Sequence, residues 1–266
     1  MGNKAILRPT VTLLNPEAVK SAFVDIGRFA NICKTTDVER ELPDKKAEVI
    51  GFNCIKVGHF SASRGIMWKF KIENMSRVAS HQLVRHHVGV AINQASGVFA
   101  GATEDFIIPA SVAKQVELHS EVAASIVEIN TIADILYKRL TDLGVSKSDA
   151  RYFMPLARVT HMHIAVTPEA LIHIANERLC TKAQWEIREI VRQMCELVKE
   201  VDPEWGYFLK PKCYKLHGCN EAVSCGLWAK YVTAMGLSNA PCADPVEREK
   251  MQPQVTEQPK VVTQPK

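Results

Sequence analysis

The densest chemistry in the chain lies in Ser80-His81-Gln82-Leu83-Val84-Arg85-His86-His87, which sets three histidines and an arginine at the end of a stretch that reads as helix. Imidazole beside guanidinium suits either anion binding or metal ligation. Metal is the poorer fit. His81 and His86 are five apart and His86 and His87 are adjacent, so no pair shares a helix face as the i, i+4 zinc pattern requires. A plainer alternative is a solvated helix end whose cations complement the macrodipole. A second group, Arg151, Arg178 and Arg188 with Gln184, offers planar forks matched to phosphate oxygens. Taken singly, each also reads as a surface ion-pair residue, Arg188 above all because Gln184 and Glu186 share its helix. Cys213, Cys219 and Cys225, with His217 between the first two, are spaced more widely than the tight pairs of structural zinc sites. Reduced structural thiols are expected there, and no metal. The chain carries no GxSxG, P-loop or GxGxxG fingerprint, so serine-hydrolase and dinucleotide-fold readings lose their usual support.

These groups need elements to hold them. Ile66, Trp68, Phe70 and Ile72 alternate with Met67, Lys69, Lys71 and Glu73, which predicts a strand burying the first set; Val49 to Val57 is a second strand candidate. A helix is predicted between Asn74 and His86, capped by Asn74 or Ser76, with Val78, Ala79 and Leu83 turned inward. Val88 to Ile92 reads as extended, with Gly89 inside it. Further on, Val122, Ile126, Ile129, Ala133, Leu136 and Leu140 recur at helical spacing, and Leu143-Gly144 closes that run. Thr167, Pro168 and Glu169 supply an N-cap, a first-turn proline and a first-turn acid for another helix. Thr181 and Gln184 read as a capping box ahead of a third helix, whose stripe is Ile187, Ile190, Val191, Met194, Leu197 and Val198. Strands early and helices late predict an α+β fold: an antiparallel or mixed sheet followed by a helical second half.

Composition bounds the rest. The chain has 266 residues, 47% of them hydrophobic, with 33 basic against 29 acidic side chains, the balance of a globular protein with a real core. A net charge of +4 does not by itself call for nucleic acid, and it is compatible with an anionic small ligand. No apolar run approaches the roughly 18 to 20 residues that span a bilayer, and Met1-Gly2-Asn3-Lys4 opens no apolar leader. A cytoplasmic location without membrane or nucleic-acid partners is expected. Residues 1–240 read as a single domain, and 241–266 as a disordered tail dominated from Met251 by Gln, Pro, Val, Thr and Lys.

With these residues in view, the chain resembles the flavin-dependent thymidylate synthases. Their signature RHRxxSxNExSxR is matched in part by Arg85-His86-His87 followed by Asn93-Gln94-Ala95-Ser96-Gly97-Val98, with one extra residue between the halves. Gly58-His59-Phe60-Ser61 resembles the family's GHxS segment, and Ser76 to Val84 the helix leading into the signature. Asp149-Ala150-Arg151 with Pro155-Leu156, Arg178 with Ala183 to Arg188, and Pro211-Lys212-Cys213 through Cys225-Gly226 resemble later segments in the same order. The departures are specific. His87 replaces the second signature Arg, Gln94 the Glu and Val98 the last Arg; Arg64-Gly65 stands where many members have Glu-His, and Thr167 and Glu169 where many have Asn and Arg.

The resemblance implies an α+β homotetramer that binds FAD and methylates carbon 5 of deoxyuridine monophosphate. Methylenetetrahydrofolate would supply the carbon, and NADPH the reducing equivalents. It assigns Ser61, Arg85, His86, His87, Val88 and Asn93 to the cofactor. Gln82, Gln94, Ala95, Ser96, Gly97, Arg151 and Arg178 fall to the pyrimidine nucleotide, with Ser96, Arg178 and His59 nearest the chemistry. Ser96 is read as positioning the nucleotide and not as a nucleophile. A non-catalytic relative that keeps nucleotide binding and assembly is the alternative, favoured by Gln94 and Val98, because an amide and an isopropyl group remove two charges from the nucleotide loop. A structural zinc protein built on the C-terminal cysteines is a third.

Overall fold

The computed structural model describes residues 8–35, 37, 41–96 and 105–234. Gly97, Val98 and the tail 241–266 lie outside the described residues. Two compact units divide at Lys210 and Pro211.

In the first unit, β1 (Thr10–Leu13), β2 (Trp68–Ser76), β3 (Val90–Gln94) and β4 (Val159–Val166) form one sheet in the order β1-β2-β4-β3, every neighbouring pair antiparallel. The fold is α+β, as its elements predict. Alternation in β2 acts as its period demands, with Trp68, Phe70 and Ile72 fully buried and Lys69 exposed. The division into early strands and late helices gives way to an interleaved order. β4 lies between β2 and β3 and comes late, burying Thr160, Met162, Ile164 and Val166 while His161, His163 and Ala165 point the other way.

Helices α1 (Pro16–Lys20), α2 (Ala22–Asn31) and α3 (Asp44–Lys56) precede β2. α3 occupies the segment that local composition assigned to a strand at Val49–Val57, and tertiary contact explains the correction. Ala47, Gly51 and Ile55, four apart, form a buried face. α2 and α3 meet backbone to backbone: a β-carbon at Gly27 would stand 1.8 Å from the Ala47 carbonyl oxygen, and one at Gly51 would stand 1.9 Å from that of Phe23. Such contact outweighs the β-branched residues Val49 and Ile50.

α4 (Arg77–Leu83) starts at Ser76, whose hydroxyl accepts the Ala79 N–H. Asn74, the other cap candidate, has φ 56° at an irregularity of the β2–β4 ladder, and its N–H donates to His161 Nδ1 at 3.3 Å. α5 (Ala110–Leu118), α6 (Ser120–Asp142) and α7 (Lys147–Ala150) follow, with α6 closing before Gly144. Of α6 only Asn130 and Ala133 are buried, which leaves Val127, Ile129, Ile132 and Ile135 exposed. α8 (Pro168–Arg178) is capped by Thr167, as expected. α9 (Trp185–Val201) buries Ile187, Ile190, Val191, Met194 and Val198, a stripe in which each large side chain contributes about 1.5–3 kcal/mol. Its cap is Gln184 and not the Thr181 box, because Gln184 Oε1 itself accepts the N–H groups of Glu186 and Ile187 at 3.0 Å. Thr181 stays outside and offers its carbonyl to Arg188. At the centre of the core, Phe23 stacks on Trp205 at 4.2 Å and Trp68 meets Trp205 edge-on at 4.6 Å.

The second unit holds α10 (Lys212–Lys215) and α11 (Leu227–Ala234) around Tyr214, Trp228 and Tyr231, with Lys212 paired to Glu221 at 2.7 Å.

Candidate active site

Two arginine clusters stand at the two ends of α4. At its start, the buried carboxylate of Glu186 on α9 accepts both the Ser76 N–H and the Ser76 hydroxyl at 2.6 Å. These bonds pin the first turn of α4 and with it Arg77. Arg77 Nη2 donates to the Ala95 carbonyl at 2.9 Å, and the Ala95 N–H donates to the His161 carbonyl at 2.9 Å, so the chain just past β3 is held against the helix start. Burial and the neighbouring Arg151 guanidinium both push Arg77 below its ordinary pKa. Neither arginine has a carboxylate partner among the described residues. Two neighbouring like charges without a counter-charge suit an anion, and half-buried Ser96 follows Ala95 directly.

Arg77 was not among the residues singled out from the sequence. A signal was there: a cation in the first turn of a helix opposes the macrodipole, so its presence at that position asks for another reason. Next to it, Gln94 Nε2 donates to Thr160 Oγ1 at 3.2 Å, and Asn93 stands exposed in register with His163.

Past the other end of α4, the segment from Val84 to Gly89 runs along α8. Gly89 has φ +69° and accepts the Thr167 N–H at 2.9 Å; a β-carbon there would lie 2.5 Å from Thr167 Oγ1, so this approach requires glycine. At the far end of α8, Arg178 Nε donates to His86 Nε2 at 2.9 Å, with the His173 ring edge-on to His86 at 5.9 Å. Arginine only donates, so His86 Nε2 carries the lone pair and Nδ1 the proton. Burial first, then Arg178, His173 and His87, push the imidazole down to about 4, which leaves it neutral at physiological pH. Gln82 is half-buried in the last turn of α4, while Arg85, His87 and Val88 are exposed.

His59 and Ser61 lie exposed at the start of the short 3-10 helix Phe60–Gly65. Arg64 in that helix forms a two-pronged ion pair with Glu169, 2.8 and 3.3 Å, which ties it to the first turn of α8. The two departures read separately in the sequence thus face each other, with acid and base exchanged. Arg188 takes no part in either cluster. Among the described residues no group of three or more His, Cys, Asp or Glu is gathered as a metal ion would need.

The chain is thus an antiparallel α+β domain with arginines that lack a carboxylate partner among the described residues near both ends of one short helix. The chain belongs to the thymidylate synthase complementing protein family, whose model matches residues 17–204. It is 34% identical over 194 residues to the flavin-dependent thymidylate synthase of Pyrococcus furiosus, covering 70% of this chain and 74% of that one. The flavin-dependent thymidylate synthase of Geobacter sulfurreducens is 34% identical over 184 residues, covering 67% and 78%. Among solved structures, the UMP/dUMP methylase PolB from Streptomyces cacaoi, bound with 5-Br dUMP, superposes with a TM-score of 0.60 over 76% of this chain and 94% of its own. At 16% identity that likeness speaks to the fold. No helix among the described residues is long and apolar enough to cross a membrane.

Proposed function

We propose that the protein is a flavin-dependent enzyme that methylates carbon 5 of a pyrimidine deoxynucleotide, converting deoxyuridine monophosphate to thymidylate with methylenetetrahydrofolate and NADPH. The observation that carries this reading is the pair of arginine clusters at the ends of α4 in a member of this family. Arg77 and Arg151, with Ser96, take the phosphate, and Arg178 with Gln82 meets the pyrimidine. Arg85, His87 and Ser61 are exposed donors without a carboxylate partner among the described residues, and their chemistry suits the phosphates of FAD. Bound FAD supplies the redox chemistry, passing reducing equivalents from NADPH to the one-carbon unit. The proposed assembly is a homotetramer with sites shared between subunits, located in the cytoplasm. Exposed Val127, Ile129, Ile132 and Ile135 on α6 support association.

A second reading, nucleotide binding without turnover, is favoured by Gln94, whose amide is engaged by Thr160 where the family signature has a carboxylate. One experiment separates the two: reconstitution with FAD, followed by calorimetry with deoxyuridine monophosphate and an assay for thymidylate under NADPH and methylenetetrahydrofolate. Binding with turnover is the expected result. Binding without turnover selects the second reading, and absence of nucleotide binding overturns both.

A further inference from the structure

The bond between Arg178 and His86 joins residues 92 positions apart. A carboxylate partner would both orient a half-buried guanidinium and cancel its charge. An imidazole accepting through Nε2 orients without cancelling. His86 is itself held in place: its backbone N–H donates to the Leu83 carbonyl at 3.1 Å, its segment is pinned at Gly89 to Thr167, and His173 packs edge-on against its ring. Arg178 uses only Nε in this bond, and its two terminal amino groups meet no acceptor among the described residues. Because the guanidinium is planar, fixing Nε fixes the direction in which the Nη edge points.

We propose that His86 is a positioning residue for Arg178, presenting the Nη edge at full charge to the pyrimidine nucleotide. This rests on the nucleotide pocket proposed above and gives His86 a task on the substrate side, beyond the flavin side to which the resemblance assigns it. The groups facing the imidazole are Arg178 and His173 from α8 and His87 from its own segment. All are cationic or able to become so, and with burial they keep the ring neutral, which its acceptor role requires. A protonated ring would set a donor against a donor.

The test is calorimetric titration of deoxyuridine monophosphate into the full chain at neutral pH, for the parent, His86→Gln, His86→Asn, His86→Leu, Arg178→Ala and the His86→Leu/Arg178→Ala double variant. Gln carries an acceptor oxygen to about the place of Nε2, whereas Asn reaches only as far as Nδ1. His86→Gln is expected within about twofold of the parent, and His86→Asn and His86→Leu about five- to tenfold weaker. In the Arg178→Ala background, His86→Leu is expected to cost less than about twofold more. Melting midpoints of the Gln and Asn variants, read alongside, separate lost positioning from lost folding. Equal weakening by Gln and Asn, or full additivity of His86→Leu with Arg178→Ala, overturns the positioning role. If Arg178→Ala weakens binding while His86→Leu does not, the positioning role alone falls. If Arg178→Ala binds like the parent, the nucleotide pocket falls and the positioning role with it.

Discussion

Arg158 and Arg178 are both withdrawn from full contact with water, and the protein treats them in opposite ways. Arg158, 4% exposed, gives its Nη2 to Asp134 on α6 and to the Asn130 carbonyl, so its charge is answered inside the protein. Arg178 is held by a neutral imidazole and Arg77 by a backbone carbonyl. Their charges are oriented and left standing. On the function proposed above, the difference separates an arginine that holds elements together from one kept for a ligand, since an ion pair completed within the fold has nothing left for substrate.

The largest effect expected from breaking this contrast is on stability. Arg158→Leu removes the buried guanidinium that ties α6 down through Asp134 and the Asn130 carbonyl and should lower the unfolding free energy by about 2–3 kcal/mol in urea titrations, with nucleotide affinity per folded molecule unchanged. A loss below about 1 kcal/mol would show that α6 does not depend on the pair. Arg77→Ala should do the reverse. Deoxyuridine monophosphate should bind about tenfold more weakly, about 1.4 kcal/mol, because a charge-assisted contact is gone. Urea stability should fall far less than for Arg158→Leu, since relief of the repulsion from Arg151 offsets the lost bond to Ala95. Unchanged affinity with reduced stability would move Arg77 into the class of Arg158.

The smallest effect sharpens the contrast through pH. In the unfolded chain His86 takes a proton below its ordinary 6.5, and in the folded protein it resists until about 4. Between these values the unfolded state holds more protons, so stability rises with pH from 4 to 6.5, is fully present above 6.5 and is lost as pH falls through 4. Allowing for solvent screening of a ring only about half withdrawn, the contribution is about 1 kcal/mol. Melting curves at several pH values should therefore show a steeper rise for the parent than for His86→Gln, and parallel curves would contradict a folded-state imidazole held neutral.

Where the chain's chemistry is local, the sequence was readable. The caps Ser76 and Thr167, the stop at Gly144, the α9 stripe and the alternation of β2 all depend on neighbours a few residues away. What depends on distant partners was not. Val49 to Val57 is strand-like by composition and becomes helix because Gly51 reaches the α2 backbone. β4 carries an alternation at Thr160, Met162, Ile164 and Val166, but its place between β2 and β3 rests on partners about 70 to 100 residues away. In the site, Arg151 and Arg178 could be named singly and Arg77 could not, and the pairings of Arg77 with Arg151 and of His86 with Arg178 depend on chain folding that no spacing encodes.

The glycine contact between α2 and α3 has a consequence for reading variation in this protein. At Gly27 and Gly51 the obstructing atoms are helical carbonyl oxygens of the opposite chain segment, which cannot swing aside as a side chain can. Alanine, the smallest possible exchange, already forces the two helices apart along their whole length. In a saturation scan both positions should therefore reject every substitution as firmly as a residue that touches substrate. Intolerance there would measure the distance between two backbones and carry no information about the reaction.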